Sequence, residues 1–264
     1  MPPPTPPATP SFRQRFRWGR WLAALVWGAL VAGVYAVYLG LLTPPEHLNP
    51  WAPLDPVATP GMLTPYKLAH AKSDPARCLA ALARTGMSYS PVPDRITGPG
   101  CGFDNAVLLR DAGVRIGAPV SLSCPMALSF AMWERHALQP AAQQHAGQRV
   151  VAIDHLGSYA CRNVNRDEGA APGKPETAAG SRSRHATANA LDIAGLTLAN
   201  GKRISVLRQW QDADAATVPG PDALLLKDAH RGACRFFNGV LGPDYNAVHR
   251  DHFHLETSGY RMCR

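Results

Sequence analysis

The strongest hydrophobic pattern in the chain is an apolar run near the N-terminus. Residues 21–42, from Trp21 to Leu42, contain no charged side chain. A helix of that length rises about 33 Å, which is enough to cross the hydrocarbon core of a bilayer. We therefore expect a single transmembrane helix over residues 21–42.

The residues around this run indicate its orientation and argue against cleavage. Four arginines precede it, namely Arg13, Arg15, Arg17 and Arg20, and residues 1–44 contain no Asp or Glu. The positive-inside rule places such an N-terminus in the cytoplasm. A cleaved signal peptide is the alternative, but its apolar region normally spans about 7–15 residues and ends at a small-residue cleavage site. We expect an uncleaved anchor.

Proline-rich sequence flanks the run on both sides. Residues 1–20 form a Pro/Arg-rich tail, which we place in the cytoplasm. Seven prolines between residues 43 and 65 predict a semi-stiff spacer over residues 43–67. The folded domain is then expected over residues 68–264.

Helical and strand patterns are mixed within residues 68–264, which predicts an α+β domain. Asp74, Pro75 and Gly86 predict a helix over residues 75–85. Apolar spacing predicts two further helices, over residues 125–139 and 224–241. Strand patterns cover residues 115–116, 120–122, 149–153, 190–193, 204–207 and 252–256. The polar stretch 163–182 predicts a loop.

Six cysteines follow the apolar run, at positions 78, 101, 124, 161, 234 and 263. An even number on one side of a membrane predicts up to three disulfides in an oxidising compartment. Fifteen pairings are possible, and the sequence does not choose among them. The alternative is six buried thiols in a reduced protein.

The chain has a net charge of +8, and four of its positive charges lie in the first 20 residues. The net charge of the rest of the chain is mild. The remaining charges include no long Lys/Arg-rich run of the kind that follows a phosphate backbone. We therefore expect no nucleic-acid partner, whereas an anionic wall polymer remains compatible with this balance.

Two segments carry candidate metal ligands, residues 183–192 and residues 249–254. A catalytic zinc site uses three His or carboxylate ligands and leaves one position open. His185, Asp192 and either His252 or His254 would supply such a set, because residues two apart on a strand face the same side. Spacing alone leaves open that these residues are a loop histidine, a turn residue and a solvated histidine cluster.

Two further residues complete the candidate chemistry. Hydrolysis at a zinc ion needs a carboxylate that takes a proton from water and passes it to the leaving amine, and Asp251 is the candidate. A cationic group for the developing oxyanion or for a substrate carboxylate is also expected. Arg162 is the candidate for this role, with a solvated surface arginine as the alternative.

The sequence around these residues resembles a known superfamily. The pattern from Ser183 to Asp192, followed by Asp251-x-x-His254, is similar to that of D-alanyl-D-alanine carboxypeptidases, D,D-dipeptidases, phage endolysins and the Hedgehog signalling domain. The chain more closely resembles the bacterial extensin-like C-terminal domain family, from about Cys78 to Cys263. The stretches that carry this resemblance are 124–127, 157–162, 185–195, 240–245 and 250–254.

The resemblance implies a set of roles and a fold. His185, Asp192 and His254 would bind Zn²⁺, Asp251 would act as general base, and Arg162 would bind substrate. His252 matches the extra histidine of the His-x-His branch. The implied fold is a small, mostly antiparallel sheet packed with helices, and the implied substrate is a peptidoglycan peptide. The implied location is the bacterial inner membrane, with the C-terminal domain in the periplasm.

The chain departs from the superfamily pattern at three places. The candidate base Asp251 is one methylene shorter than the Glu of the dipeptidases, although other branches also use Asp. Ala188 replaces the usual Gly, a change that we expect to be tolerated on the basis of a negative φ. The loop 163–182 has no counterpart, and a lid or substrate-selecting rim would explain it.

Three functions are compatible with the sequence. The first is a zinc peptidase that cuts a peptide bond in peptidoglycan. The second is a non-catalytic module that binds the cell wall or a protein and retains the zinc site. The third is a metal-free envelope scaffold held by disulfides. Protein partners cannot be read from the sequence.

Overall fold

The computed structural model describes residues 12–164, 181–211, 218–257 and 260–264, without the side chains of residues 12–17. The chain divides into two compact units, residues 1–50 and residues 51–264. Most of the expected loop 163–182 and residues 1–11 of the N-terminal tail lie outside the described residues.

The first unit contains the long helix α1 (Phe12–Tyr38) and a 3₁₀ turn (Glu46–Leu48). Within α1, Trp18–Tyr38 is long and apolar enough to cross a membrane. The helix ends before Leu42, because Gly40 adopts a φ of +70° and turns the backbone. The expected apolar helix is therefore confirmed with an earlier end. Its length, composition and position fit a membrane span or a signal sequence.

The second unit is an α+β domain, as the sequence predicts. Its α-helices are α2 (Thr64–Lys72), α3 (Pro75–Ala83), α4 (Cys124–Trp133), α5 (Gln139–Ala146), α6 (Val206–Gln209) and α7 (Pro221–Ala233). A π turn (Glu134–Leu138) joins α4 to α5, and 3₁₀ turns span Arg184–Thr187 and Ala247–His249.

The strands form one large sheet and one hairpin. The first six are β1 (Ser88–Val92), β2 (Arg95–Gly98), β3 (Cys101–Phe103), β4 (Ala106–Asp111), β5 (Arg115–Ser123) and β6 (Val150–Gly157). The other five are β7 (Ala190–Leu198), β8 (Arg203–Ser205), β9 (Gly239–Leu241), β10 (Phe253–Glu256) and β11 (Met262–Cys263).

Among the described residues the main sheet has nine strands, in the order β1-β4-β5-β6-β7-β10-β9-β11, with β8 also paired to β7. All neighbours are antiparallel except β5–β6 and β9–β11. Strands β2 and β3 form a separate hairpin. The sheet is thus mostly antiparallel, as expected, but larger than the small sheet that the resemblance implies.

The core of the domain is centred on α4. All residues of this helix except Pro125 are buried, which is the pattern of a helix covered on every side. It contacts α2, α3, β4 and β5. The indole nitrogen of Trp133 donates a 2.8 Å hydrogen bond to the carbonyl of Ala229 on α7, so its one polar group is satisfied.

Several predicted elements are present with different bounds. The helix over 75–85 is confirmed as α3, and the Asp74 side chain accepts a 2.8 Å bond from the Arg77 amide. The short pieces at 115–116 and 120–122 belong to the single strand β5. The expected helix over 224–241 was too long. Helix α7 ends at Ala233, because the later residues 239–241 pair with β10 as strand β9.

The compact unit starts earlier than the expected domain start at residue 68. Leu54 and Pro56 lie inside the predicted spacer, yet both are buried. The Arg84 guanidinium donates to the Leu54 carbonyl, and a ring nitrogen of His136 lies 2.9 Å from the Pro56 carbonyl. Part of the proline-rich segment therefore packs on the domain.

All six cysteines form disulfides, which confirms the expected number. The pairs are Cys78–Cys124, Cys101–Cys161 and Cys234–Cys263, with Cα–Cα distances of 6.1, 5.5 and 5.8 Å. They link α3 to α4, the β2–β3 hairpin to the segment after β6, and the end of α7 to β11. The structure thereby selects one of the fifteen pairings.

Candidate metal centre

Asp192 and His254 meet because their strands pair directly. In the antiparallel pair β7–β10, His254 lies opposite Asp192 although the two residues are far apart in sequence. Directly opposed side chains on one face of a sheet have Cβ atoms about 4.5–5.5 Å apart. This register brings His254 Nδ1 to 2.8 Å from Asp192 Oδ1.

His185 reaches the same point from a turn. It lies in the 3₁₀ turn Arg184–Thr187, which begins at Ser183 and ends at Ala188 in the left-handed conformation. The Ser183 hydroxyl accepts a hydrogen bond from the His185 amide. The imidazole is 3% exposed, and its Nε2 lies 3.2 Å from both Asp192 Oδ2 and His254 Nδ1.

The structure corrects one expectation about this turn. Ala188 has a φ of +53°, not the negative value on which we expected the Gly-to-Ala change to be tolerated. Glycine adopts this left-handed conformation with the least strain. The positive φ accounts for the glycine at this place in the motif that the sequence resembles.

Each histidine is held from behind by an acceptor. His185 Nδ1 lies 3.1 Å from the Ser158 carbonyl, and His254 Nε2 lies 3.0 Å from Glu256 Oε2. A carbonyl oxygen only accepts, so His185 Nδ1 is the donor, and Nε2 is the ring nitrogen that faces Asp192 and His254. Such partners on the outer ring nitrogen fix tautomer and ring orientation at metal sites.

The convergence of these donor atoms fits a divalent cation. Two ring nitrogens and a carboxylate lie within 4.8 Å of one another and belong to three buried or half-buried residues, His185, Asp192 and His254. Nitrogen ligands at about 2.0–2.1 Å from a tetrahedral zinc ion lie about 3.3 Å apart. The observed 3.2 Å between His185 Nε2 and His254 Nδ1 agrees with that spacing.

The interactions within the group shift the pKa of Asp192 and the pKa of His254 toward the charged form of each residue. Burial by itself raises the pKa of Asp192, but the hydrogen bonds from His185 and His254 outweigh it and hold the pKa well below its usual range. Burial lowers the pKa of His254, but Asp192 and Glu256 outweigh it and raise the pKa to about 9. In the absence of a metal ion the group therefore retains a proton, which a cation must displace.

His252 and Asp251 lie beside the ligand group. His252 Nε2 is 3.6 Å from Asp192 Oδ1, and His252 Nδ1 is 2.8 Å from Asp251 Oδ1. Asp251 lies in the turn before β10, with its side chain 47% exposed. The structure thus places Asp251 at the strand start, where the backbone turns, and connects it to Asp192 through His252.

Arg162 lies near the group by its backbone. Its carbonyl accepts a 3.1 Å bond from the Ser183 amide, in the segment that leads to His185. Its guanidinium donates to the carbonyl of the neighbouring Asn163. The described contacts of this side chain do not include His185, Asp192 or His254.

One comparison with known proteins decides the family. The family model described as "Extensin-like protein C-terminus" matches residues 76–264, which is most of the chain. The chain belongs to this family. No curated protein and no solved structure matches it significantly.

The extensin-like match covers all three candidate ligands, their supporting residues and all six cysteines, and it leaves α1 outside. The candidate ligands and the disulfides thus lie within the matched part of the chain. The peptidase superfamily relationship, by contrast, rests on the resemblance of the two motifs.

Three residues of the extensin-like site were given no role in the sequence prediction, although His249 lies in the candidate segment 249–254: Ser158, Glu256 and His249. Glu256 continues the alternation His252, His254, Glu256 on one face of a strand, so this spacing contained a usable signal. The His249 ring centre lies 5.3 Å from that of His252 and 5.8 Å from that of His254. Ser158 acts through its backbone carbonyl, for which side-chain identity gives no signal.

Proposed function

We propose that this extensin-like protein is a zinc-dependent peptidase that hydrolyses a peptide bond in peptidoglycan, with the ion held by His185, Asp192 and His254. The observation that carries the proposal is the convergence of these three ligands, with an acceptor behind each histidine. This outer support distinguishes a built metal site from a solvated histidine cluster.

Zinc, when bound, acidifies water and polarises a carbonyl. The residues of the chain would take the proton from this water and pass it to the leaving amine. Asp251 is sufficiently exposed to meet a substrate, and it holds His252 through Nδ1. His252 Nε2 faces Asp192 on the ligand side. We assign Asp251 the role of general base, with His252 as the group that it orients toward substrate.

We assign Arg162 to the anionic part of the substrate. Its peptide unit is fixed to Ser183 next to the ligand turn, and its guanidinium bonds only a neighbouring carbonyl among the described residues. A guanidinium in that position can turn toward a carboxylate at little cost, because it exchanges a hydrogen bond to a neutral carbonyl for an ion pair that can be bidentate.

The proposed substrate and location depend on features outside the ligand group. The motif resemblance implies peptidoglycan peptides as the substrate. The three disulfides favour an oxidising compartment, and an apolar run preceded by arginines favours a bacterial inner-membrane anchor with the domain in the periplasm. A wall peptide would be accessible to a domain held in that place.

The first experiment measures bound metal. The full-length protein, produced with its disulfides in detergent, should contain about one zinc per chain by elemental analysis. His185→Ala should lose it, because one of three ligands is removed. His155→Ala is the matched control, since His155 lies outside the ligand group. A folded wild type that takes up no metal contradicts the proposal and favours a metal-free scaffold.

The second experiment measures hydrolysis. Zinc-loaded wild type should release products from purified muropeptides, and Asp251→Asn should lower kcat by about 10²–10⁴-fold while zinc content stays unchanged. Arg162→Gln should mainly raise KM. Sacculus binding without cleavage by the zinc-loaded wild type would instead identify the non-catalytic wall-binding module.

A further inference from the structure

A cavity of about 670 Å³ opens beside the turn that carries His185. Its lining includes Arg184 and Thr187 from that turn and Arg95 from the β2–β3 hairpin. Sites for small ligands have volumes of about 300–1,000 Å³. The cavity is therefore large enough for a few peptide residues next to the candidate metal centre.

The cavity has an excess of positive charge. Lys72, Arg95 and Arg184 line it, and Asp104 is the one acidic residue among the described lining residues. The described ion pairs of the domain include none of the three cations. An anionic ligand would meet cations that have no carboxylate partner within the described chain.

Lys72 differs from the two arginines, because its ammonium is largely buried. Its ammonium donates to the Ser129 hydroxyl at 3.2 Å and to the Phe236 carbonyl at 3.4 Å, which are both neutral acceptors. Burial, and then the charge of Arg261, lower the pKa of Lys72 to about 8. An anion in the cavity would oppose both effects.

The β2–β3 hairpin, which carries Arg95 and forms one side of the cavity, is linked to its neighbouring segments at two points. The Cys101–Cys161 disulfide ties the hairpin to the segment after β6, and the Arg182 guanidinium donates to the Pro99 carbonyl at 2.9 Å. The Arg95 guanidinium lies 5.0 Å from the centre of the Phe103 ring. The contact with Phe103 restrains the exposed Arg95 side chain, which reduces the entropy that binding would cost.

We propose that this cavity binds a free carboxylate of the peptide substrate through Arg95 and Arg184. The inference rests on the proposed function, because it takes the peptide cut at the neighbouring metal centre as the ligand. Guanidinium groups pair with carboxylates through two parallel hydrogen bonds. The substrate class is thereby narrowed to stem peptides that carry a free carboxylate near the bond to be cut, and the test varies one such group, the α-carboxylate of D-glutamate, between free acid and amide.

The test compares two synthetic stem tetrapeptides that differ only in this group, free acid against amide. Isothermal titration calorimetry is performed on the full-length protein in detergent after removal of metal, so that no peptide is cut. Wild type should bind the free acid at least about tenfold more tightly than the amide, because charged hydrogen bonds contribute that much.

Two substitutions and two controls locate the effect. Arg95→Gln and Arg184→Gln should each bring the acid-to-amide ratio to within about twofold, whereas Arg184→Lys should retain part of the preference because it keeps the charge. Arg203→Gln makes the same charge change on β8, away from the lining, and should keep the wild-type ratio. Thermal melting of each variant verifies its fold.

Equal affinities for acid and amide in wild type, no binding of either peptide, or a ratio unchanged in both glutamine variants would overturn the cavity proposal. Its failure is separable from that of the proposed function. A preference for the acid, without hydrolysis by the zinc-loaded protein, would contradict the peptidase proposal and support the cavity proposal. Hydrolysis that does not depend on Arg95 and Arg184 would contradict only the cavity proposal.

Discussion

At the residue scale, the two candidate histidine ligands use different ring nitrogens. His185 presents Nε2 and His254 presents Nδ1 to Asp192. The difference follows from the outer acceptors, since the Ser158 carbonyl occupies Nδ1 of His185 and Glu256 occupies Nε2 of His254. Glu256 is therefore a positioning residue, because its carboxylate contacts the ring nitrogen of His254 that points away from Asp192.

Glu256→Gln should lower zinc affinity by about 10–100-fold, which is the usual effect of removing an outer carboxylate. The amide keeps the size of the side chain but removes the charge that makes His254 a better ligand. Competition with a chromophoric chelator measures the affinity, and a cobalt-substituted spectrum reports any change at the ligands. An affinity and a spectrum both equal to wild type would show that Glu256 acts only in packing.

A second buried histidine is a source of acid sensitivity. His230 lies between the rings of Trp210 and Phe253, with centroid distances of 5.6 and 5.2 Å. Burial lowers its pKa to about 4 from 6.5. The unfolded chain therefore binds a proton in a pH range where the folded chain does not.

This histidine should make the metal-free domain less stable as the pH falls from 6.5 toward 4, and its contribution is fully present above pH 6.5. The loss attributable to His230 is on the order of 3 kcal/mol in the free energy of unfolding. Urea unfolding at several pH values should give a flatter acid limb for His230→Phe than for wild type. Parallel limbs would contradict the assignment.

At the element scale, β7 organises the site. It pairs with β6 on one edge and with β10 and β8 on the other, and Asp192 lies opposite both Gly157 and His254. The end of β6 thus delivers Ser158 to the same place as Asp192. The described residues that follow β6 up to Val164 belong to no strand of the main sheet. The isolated bridge between Asn163 and Arg182 and the Cys101–Cys161 disulfide, which ties this segment to the hairpin, hold them in place.

Removing that disulfide should affect both stability and metal binding. The variant Cys101→Ala/Cys161→Ala should lose about 4 kcal/mol in the free energy of unfolding on the chain-entropy account. It should also bind zinc about tenfold more weakly, because the Ser158 carbonyl behind His185 is less well fixed. Urea unfolding and chelator competition measure the two effects.

The Cys78–Cys124 disulfide provides the matched control. Its two cysteines are 46 residues apart in the sequence, compared with 60 for Cys101 and Cys161, so the two disulfides contribute similar entropic stabilisation. It joins α3 to α4 and does not hold the Ser158 segment, so its removal should change zinc affinity by less than about twofold. An equal loss of affinity in both variants would mean that the effect is global.

At the scale of the whole molecule, the chain combines a disulfide-linked domain with one apolar helix. The helix has exposed apolar side chains along its described length, as expected for a segment that meets lipid. The family match begins only at residue 76, so the helix is an addition to the shared domain. Its length, composition and position fit a membrane span or a signal sequence.

We expect the helix to remain in the mature protein as an anchor. The chain should stay in the membrane pellet after alkaline washing, and its intact mass should include residues 1–42. Replacing residues 1–42 with a cleavable signal sequence should release the domain as a soluble periplasmic protein. A mature N-terminus beyond residue 42 in the unmodified protein would instead show that the run is a signal sequence.

Local patterns predicted much of this structure because they depend on neighbouring residues. The apolar run, the Asp74 cap with Pro75, the strand alternation at 252–256 and the even cysteine count each report on short-range chemistry. The same local signal failed where distant partners decide, as at residues 239–241, which are a strand only because β10 is beside them.

The sequence by itself determined the α+β class, the apolar helix and the residue types able to ligate a metal ion. Only the tertiary structure decided which of them meet, because that depends on the register of β7 against β10 and on the turn that ends at Ala188. It also selected the disulfide pairs and placed Ser158 and Glu256 behind the histidines. These outcomes join residues distant in the chain, and their distances are fixed by strand pairing and packing, which no local pattern encodes.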